Sequence, residues 1–499
     1  MAGVDVVVTT HQGAIRGRER AGVASFRGIP YAAAPEGALR FAAPQPAPLG
    51  DVDAREWGAT VSTPPQRSPE IDRLLPDPVR QGSSALNSSP LNLNVWTPST
   101  TGALPVLVWI HGGGFVTGAG SVTAYDGSAL AQRDIVVVTI NYRLAVEGFV
   151  EVEGCVSNRG LLDQIAALRW VQENIAAFGG DPTAVTVAGE SAGAMSVVTL
   201  MSMPLARGLF ARAIAQSGAG HHVHTPDEAA YISAQLSAEL GIPLTNESLS
   251  QIPDDRLYAA LNAALTTVSS VPGPGGRPLR RLGVQPVVDG DVLPMRPIDA
   301  VRVGVGSEVD LLTGTNADEY GLFVAATGLD ERLDEAMLAG MVSRLGSDVE
   351  ALLPAYRTRF PHASPAELFK QLQGDWFFVI PMLRLVTARE AAGRRTFVYE
   401  FVWTPETFGG RLGACHTLEV PFVFDTLGDP WGRELRGDAP QAVADTMVEA
   451  WVSFVRTGHP GWDAHGSAST VARIDERITT VTDPHRWRLD RWQGLAPVG

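Results

Sequence analysis

Ala184 to Val197 reads AVTVAGESAGAMSV, and the reading of this stretch decides the fold. Val185, Thr186 and Val187 make a β-branched run of the kind strands prefer, and from Ala192 onward the residues are small and helix-favouring. Gly189-Glu190-Ser191-Ala192-Gly193 lies between them, so the order is strand, tight turn, helix. A serine at the tip of such a turn is forced into a strained backbone conformation, and glycines two positions to either side leave room for neighbouring chain. Its hydroxyl then stands above a sheet, over a helix N-terminus that favours developing negative charge. Ordinary Gly/Ser loops produce the same five-residue pattern by chance, but they lack strand and helix signals on the correct sides. The pattern occurs nowhere else in the chain.

Upstream, Pro105 to Ile110 (PVLVWI) and Asp134 to Asn141 (DIVVVTIN) are continuous apolar runs, the signature of strands buried on both faces of a parallel sheet. The first delivers His111-Gly112-Gly113-Gly114-Phe115, where successive glycines can turn backbone N–H groups toward one point. A phosphate cradle is the competing reading, but no G-x-G-x-x-G or G-K-[ST] pattern is present and no helix signal follows directly. Leu161 to Phe178 reads as an amphipathic helix, with Leu162, Ile165, Ala166, Leu168, Ile175 and Phe178 mostly on one side, stopped by Gly179-Gly180-Asp181-Pro182. Leu209 to Ile214 leads to Gln216-Ser217-Gly218 as a further strand and its loop. This alternation predicts right-handed crossovers and an α/β fold with a mostly parallel sheet.

The chain has 499 residues, 45% hydrophobic and 19% charged, enough to bury a large core. Length alone suggests about three domains, but the motif order runs through the whole chain, and one large unit over residues 1–499 is expected. A formal net charge of −15 argues against nucleic-acid or anionic-membrane partners, because the long-range field repels phosphates. Lys370 is the only lysine, which reads as genome composition bias. Two cysteines, Cys155 and Cys415, exclude a disulfide framework but leave one bridge open. The opening MAGVDVVVTT has no basic region and carries Asp5 inside its apolar run, so it does not read as a signal peptide. No apolar run is long enough to span a bilayer. The expectation is a soluble cytoplasmic protein, a monomer or small homo-oligomer.

Residues 5 to 30 alternate apolar runs with Gly13, Gly17 and Gly22, as a small antiparallel ribbon does, and Leu91 to Trp96 alternates as a strand. Residues 32 to 100 are otherwise rich in Pro, Ala and Ser, with a loop from Pro64 to Pro90 expected to be mobile. His221-His222-Val223-His224 has the composition of a metal site, but its spacing in a loop without Cys or acidic neighbours is weak, and a solvated or pocket-rim loop is the better reading. Cys415 has nothing near it to lower its pKa and reads as a packing residue.

The blocks SFRGIPYAAAPEGALRF (25–41), VWIHGGGF (108–115), VVVTINYRL (136–144), GLLDQIAALRWVQENIAAFGGDPTAVTVAGESAGA (160–194) and AIAQSG (213–218) resemble the type-B carboxylesterases. These are the cholinesterase-like branch of the α/β-hydrolases, and the likeness is strongest to bacterial para-nitrobenzyl esterases. The resemblance implies a central twisted sheet flanked by helices, with helical insertions at about 220–310 and 325–400 covering the site.

A serine at its free pKa needs a base, and the base needs an orienting acid; in α/β-hydrolases these follow the serine in the order acid, histidine. Leu311 to Gly321 (LLTGTNADEYG) is a strand and polar turn offering both Asp318 and Glu319, and the residues alone do not choose. The family's motif implies Glu319 as the acid, and its histidine loop, matched by residues 413–422, implies His416 as the base. Ser191 would be the nucleophile, with the N–H groups of Gly113, Gly114 and Ala192 as the oxyanion hole. Phe115, Leu322, Phe323, Trp376 and Phe377 are implied as pocket lining, although bare aromatic clusters are more often core. No cofactor or metal is implied.

The chain departs from the family in four places. Asn87-Ser88-Ser89-Pro90 replaces S-E-D-C, which would leave Arg40 without its usual carboxylate partner; Thr417 and Tyr320 stand where glycine is common. The loop 64–90 has no aromatic residue, so the face that cradles choline is missing. The expected function is hydrolysis of uncharged short to medium carboxylic esters through an acyl-enzyme. The alternative is the same machinery specialised for aryl carbamates or phthalate-type esters. A non-catalytic cholinesterase-like binding protein would be expected to lack a triad member.

Overall fold

The structure, a computed structural model, describes residues 3–63, 69–74, 89–274, 279, 282–430 and 432–495. Its thirteen strands are Val4–Thr9 (β1), Ala14–Arg20 (β2), Val23–Pro30 (β3), Val52–Asp53 (β4), Asn92–Thr97 (β5), Leu104–Ile110 (β6), Val136–Ile140 (β7), Gly180–Glu190 (β8), Arg212–Gln216 (β9), Asp310–Asn316 (β10), Thr396–Phe401 (β11), Thr470–Ile474 (β12) and Ile478–Thr482 (β13). They form one sheet in the order β1-β2-β3-β5-β7-β6-β8-β9-β10-β11-β12-β13, with β4 paired to β2. From β7 to β12 every neighbouring pair is parallel, and the two flanks are antiparallel apart from the short parallel β2–β4 pair.

The apolar runs explain this division. Strands covered by helices on both faces cannot alternate, and β7 is buried along its whole length, as is β8 from Val185 to Glu190. The ribbon strand β2 keeps one wet face and alternates between buried and exposed at Ile15, Arg16, Gly17 and Arg18. The expected ribbon, the strands around Val106 and Val136 and the strand before Gln216 are all present. Strand β8 starts earlier than its β-branched core, at Gly180, where it joins Leu104 of β6, and Leu209 to Ala211 precede β9 instead of forming it.

The helix expected over 161–178 is an α-helix at Arg159–Asn174 followed by a 3-10 turn at Ile175–Phe178, ended by Gly179. Its apolar stripe is not its only buried face. Asp163 is buried opposite Arg143, which donates from Nε at 2.8 Å and from Nη2 at 2.7 Å. Leu162 and Ala166 are the less buried members.

Arg40 has carboxylate partners other than its usual one: Nε donates to Glu147 at 2.8 Å and Nη2 to Asp254 at 2.9 Å. Both come from segments far along the chain, where no local motif points to them. Within 220–310 the chain forms helices Pro226–Leu240, Asn246–Ser250, Asp254–Ser270 and Pro297–Arg302. The second segment contains Glu335–Ser343, Leu353–Arg359, Pro365–Gly374 and Ile380–Ala391. Most of the loop 64–90, namely 64–68 and 75–88, lies outside the described residues. Both cysteines are free, Cys155 partly exposed and Cys415 buried.

Candidate active site

The parallel strands end on one edge of the sheet, and the residues just beyond those ends make the site. After Glu190 the chain turns at Ser191 with φ 56° and ψ −124°, and the helix Ala192–Met201 begins at once. Ser191 N donates to Gln216 O at 2.9 Å, tying the turn to the end of β9. Glycine is required behind it, because a Cβ on Gly193 would lie 2.0 Å from the carbonyl oxygen of Ile110. This strand-to-helix elbow is what holds a serine in an otherwise avoided conformation.

At the end of β6 the glycine loop folds back on itself. Gly113 has φ 108°, a Cβ there would sit 2.1 Å from Thr117 O, and its own carbonyl accepts from Val116 and Thr117 at 3.1 Å. Among the described residues no acceptor takes the N–H of Gly113, Gly114 or Ala192. Tyr142 stacks on His111 at 4.5 Å and donates to its carbonyl at 2.9 Å, so the Arg143–Asp163 pair next to it braces the loop from behind.

Glu319 and His416 meet although distant in sequence. Glu319 Oε1 accepts from Asn316 N at 2.8 Å, and Oε2 lies 2.7 Å from His416 Nδ1. Asp318 points elsewhere, accepting from Ala414 N at 3.1 Å and Gln371 Nε2 at 3.3 Å. The geometry therefore brings Glu319, and not Asp318, to the histidine. His416 Nε2 lies 3.2 Å from Glu190 Oε1, and no hydrogen bond joins Ser191 to His416 among the described residues. Catalytic hydrogen bonds of this kind commonly tighten only when substrate is bound.

Charge in this pocket is unusual. Burial pushes the Glu190 carboxyl up to about 8. Burial works against the His416 cation, but Glu190, Glu319 and Glu419 outweigh it and raise the imidazole to about 9. Glu419, also raised by burial, takes hydrogen bonds from Asn316 Nδ2 at 2.6 Å and Gln216 Nε2 at 3.1 Å, and Trp451 Nε1 in turn holds Gln216 Oε1 at 2.9 Å. Sequence reasoning singled out none of Glu190, Asn316, Gln216 or Glu419 for a role. The available signal was a polar residue at the very end of an apolar strand, or one turn past His416.

Thr417 adopts φ 68°, a region that strains a β-branched residue, so the departure from glycine stores strain beside the imidazole. Tyr320 carries no such strain and packs on Phe323 at 5.0 Å and Phe369 at 5.9 Å.

Of the residues implied as lining, Phe323 and Phe377 stay partly exposed, whereas Phe115, Leu322 and Trp376 are buried, Phe115 against Phe149 at 4.9 Å. Phe378 comes nearer to His416, at 4.6 Å between ring centroids, than Phe323 at 5.7 Å. Phe377 bridges Phe378 and His222, at 4.7 and 4.4 Å. The three neighbouring histidines are buried, not solvated, and burial lowers the pKa of His221 well below the ordinary value. No group of three or more His, Cys, Asp or Glu among the described residues is arranged to hold a metal.

The sequence pattern of the carboxylesterase family matches residues 4–480. The chain belongs to the carboxylesterase family. It is 36% identical over 500 residues to the para-nitrobenzyl esterase of Bacillus subtilis (strain 168), covering 96% of each chain. To the phenmedipham hydrolase of Pseudarthrobacter oxydans it is 33% identical over 492 residues, covering 96% of this chain and 95% of that one. The carboxylesterase Est55 of Geobacillus stearothermophilus superposes with a TM-score of 0.83 at 37% identity, covering 98% of this chain and 100% of the other. The fold is accordingly the α/β-hydrolase fold, and the chemistry of this carboxylesterase is hydrolysis of carboxylic esters. No helix among its described residues is long and apolar enough to cross a membrane.

Proposed function

We propose that this carboxylesterase cleaves uncharged short to medium esters through an acyl-enzyme on Ser191. The observation that carries the reading is the 2.7 Å contact between His416 Nδ1 and Glu319 Oε2, on the same sheet edge as the strained serine. His416 takes the proton of Ser191 as its oxygen attacks the ester carbonyl, and Glu319 holds the tautomer with Nδ1–H toward itself. The N–H groups of Gly113, Gly114 and Ala192 receive the developing oxyanion, each worth about 3 kcal/mol. His416 then protonates the leaving alcohol, and water repeats the sequence on the acyl-enzyme. Phe323, Phe377 and Phe378 offer the acyl or alcohol part an apolar wall, and the helices between 226 and 391 would cover it. Two unpaired thiols fit a reducing compartment, and we place the enzyme in the cytoplasm.

The test is hydrolysis of para-nitrophenyl acetate, butyrate and octanoate by the wild type and Ser191→Ala from about pH 5 to about pH 9. A fall of about 10⁴-fold or more in kcat is expected in the variant. Equal rates in the two proteins would exclude Ser191 as nucleophile and bring a non-catalytic role forward. An aryl carbamate in the same assay decides whether the site prefers that class.

A further inference from the structure

The long helix that supplies the aromatic wall is not regular. Between Pro365–Gly374 and Ile380–Ala391 it widens into a π turn at Asp375–Val379, and Pro381 explains why. A proline in a helix has no N–H to give and its ring clashes with the carbonyl four residues back, here that of Phe377; an extra residue in the turn relieves both. The widened turn is the one that lays Phe377 on His222 and Phe378 on His416.

The head of that turn is Asp375, a buried carboxylate with no role in the reaction described above. It is gripped from the last helix of the structure, Arg486–Trp492: Arg488 Nε donates to Asp375 Oδ1 at 2.7 Å and Oδ2 at 2.8 Å. Tyr356 adds a hydroxyl to Oδ2 at 2.5 Å and is itself held by Trp492 Nε1 at 2.9 Å. The same guanidinium has a second branch. Nη2 donates to Gln371 Oε1 at 3.1 Å, Gln371 Nε2 donates to Asp318 Oδ1 at 3.3 Å, and Asp318 Oδ2 accepts from Ala414 N at 3.1 Å. Asp318 precedes Glu319, and Ala414 lies two residues before His416. Arg488 is 12% exposed and its partner Asp375 2%.

We propose that Arg488 is a positioning residue for ester hydrolysis, clamping the aromatic wall through Asp375 and the Glu319–His416 pair through Gln371 and Asp318. The proposal rests on the reading of Ser191, Glu319 and His416 given above. Without the guanidinium, Asp375 is a buried carboxylate left with a phenol and no charge partner, which favours a rearranged or protonated turn. The rings it carries then shift against the imidazole, and displacements on the order of 1 Å at a reacting centre cost up to about 100-fold in rate.

The test compares wild type, Arg488→Ala, Arg488→Lys, Gln371→Ala and Ser191→Ala on butyrate and octanoate esters, with unfolding midpoints measured beside the kinetics. Arg488→Ala is expected to lose about 10- to 100-fold in kcat at temperatures where it is fully folded, and to change the octanoate-to-butyrate ratio of kcat/KM. Arg488→Lys restores a charge to Asp375 but lacks the fork that reaches Gln371. It should recover the acyl ratio but not the full kcat, and Gln371→Ala, at a partly exposed position, should lower kcat with the acyl ratio unchanged. Should Arg488→Ala not fold, the lysine and Gln371 variants carry the test. Folded variants with kcat and acyl ratio within about twofold of wild type, next to an inactive Ser191→Ala, would overturn the clamp alone. Activity in Ser191→Ala equal to wild type would overturn the nucleophile and the clamp with it.

Discussion

Glu190 lies inside the serine motif yet its carboxylate sits against His416 Nε2, the nitrogen that receives the serine proton in the mechanism proposed above. Once Glu190 is itself ionised, above its raised pKa of about 8, that anion stabilises the imidazolium and, together with Glu319 and Glu419, holds the base protonated to higher pH than an ordinary histidine with its pKa of about 6.5. Since the proposed mechanism needs neutral His416, kcat/KM should rise with pH and its ascending limb should fall on the alkaline side of that value. Glu190→Gln removes the stabilising anion and should move the limb toward acid; an unmoved limb in the pH–rate profile would refute this coupling. Ser191 was singled out by its motif and His416 by the resemblance of its loop to the family's, whereas bare residues left Asp318 and Glu319 equivalent. The distinction between them is one of direction: Asp318 turns toward Ala414 and Glu319 toward the imidazole, and side-chain direction in a turn has no periodicity to read.

Elements were legible where burial leaves a repeating mark. The continuous apolar runs marked β6 and β7, and a β-branched run marked β8, because a strand between two helical layers has no wet face. The helix Arg159–Asn174 was found by its stripe, but its anchoring charge at Asp163 was not, since a lone acid on a helix ordinarily reads as solvated. Burial works against the Arg143 cation by lowering its pKa, and Asp163 outweighs that, holding the guanidinium above its ordinary pKa. Removing one partner of such a pair leaves the other uncompensated, so Asp163→Ala should destabilise the fold by about 3–5 kcal/mol in denaturant titration. Because Tyr142 next to Arg143 supports His111, the same variant should lose activity before it unfolds. A midpoint equal to wild type would show that the pair is dispensable. The π turn was invisible for a different reason: Pro381 reads as a helix break, and only neighbouring packing carries the helix through it.

At the scale of the molecule, sheet order differs from chain order. Strand β8 is central, its neighbours β6 and β9 lie on either side, and the C-terminal strands β10 to β13 complete one flank. The helix Gln441–Thr457 reaches back under the site, where Trp451 secures Gln216. A chain ending at Ala439 would lose that helix along with β12 and β13, leaving β11 as a bare apolar edge. It should be recovered as aggregate rather than as soluble protein, and a soluble fragment with a cooperative unfolding transition would contradict this.

The wide spacing of Ser191 from His416 has a consequence for the protein while it is being made. At about 5–20 residues per second, a ribosome needs on the order of 10–45 seconds to pass from one to the other. Through that interval, on the mechanism proposed above, the nascent chain holds the nucleophile without its base, and from residue 216 until residues 310–316 are made β9 has no β10 to pair with. On that reading the chain in translation is chemically silent and, until β10 is made, presents an unpaired strand edge of the kind that aggregates. Chaperone depletion is therefore expected to lower the yield of active enzyme by leaving that border exposed until residues 310–316 emerge, and an unchanged yield would refute this.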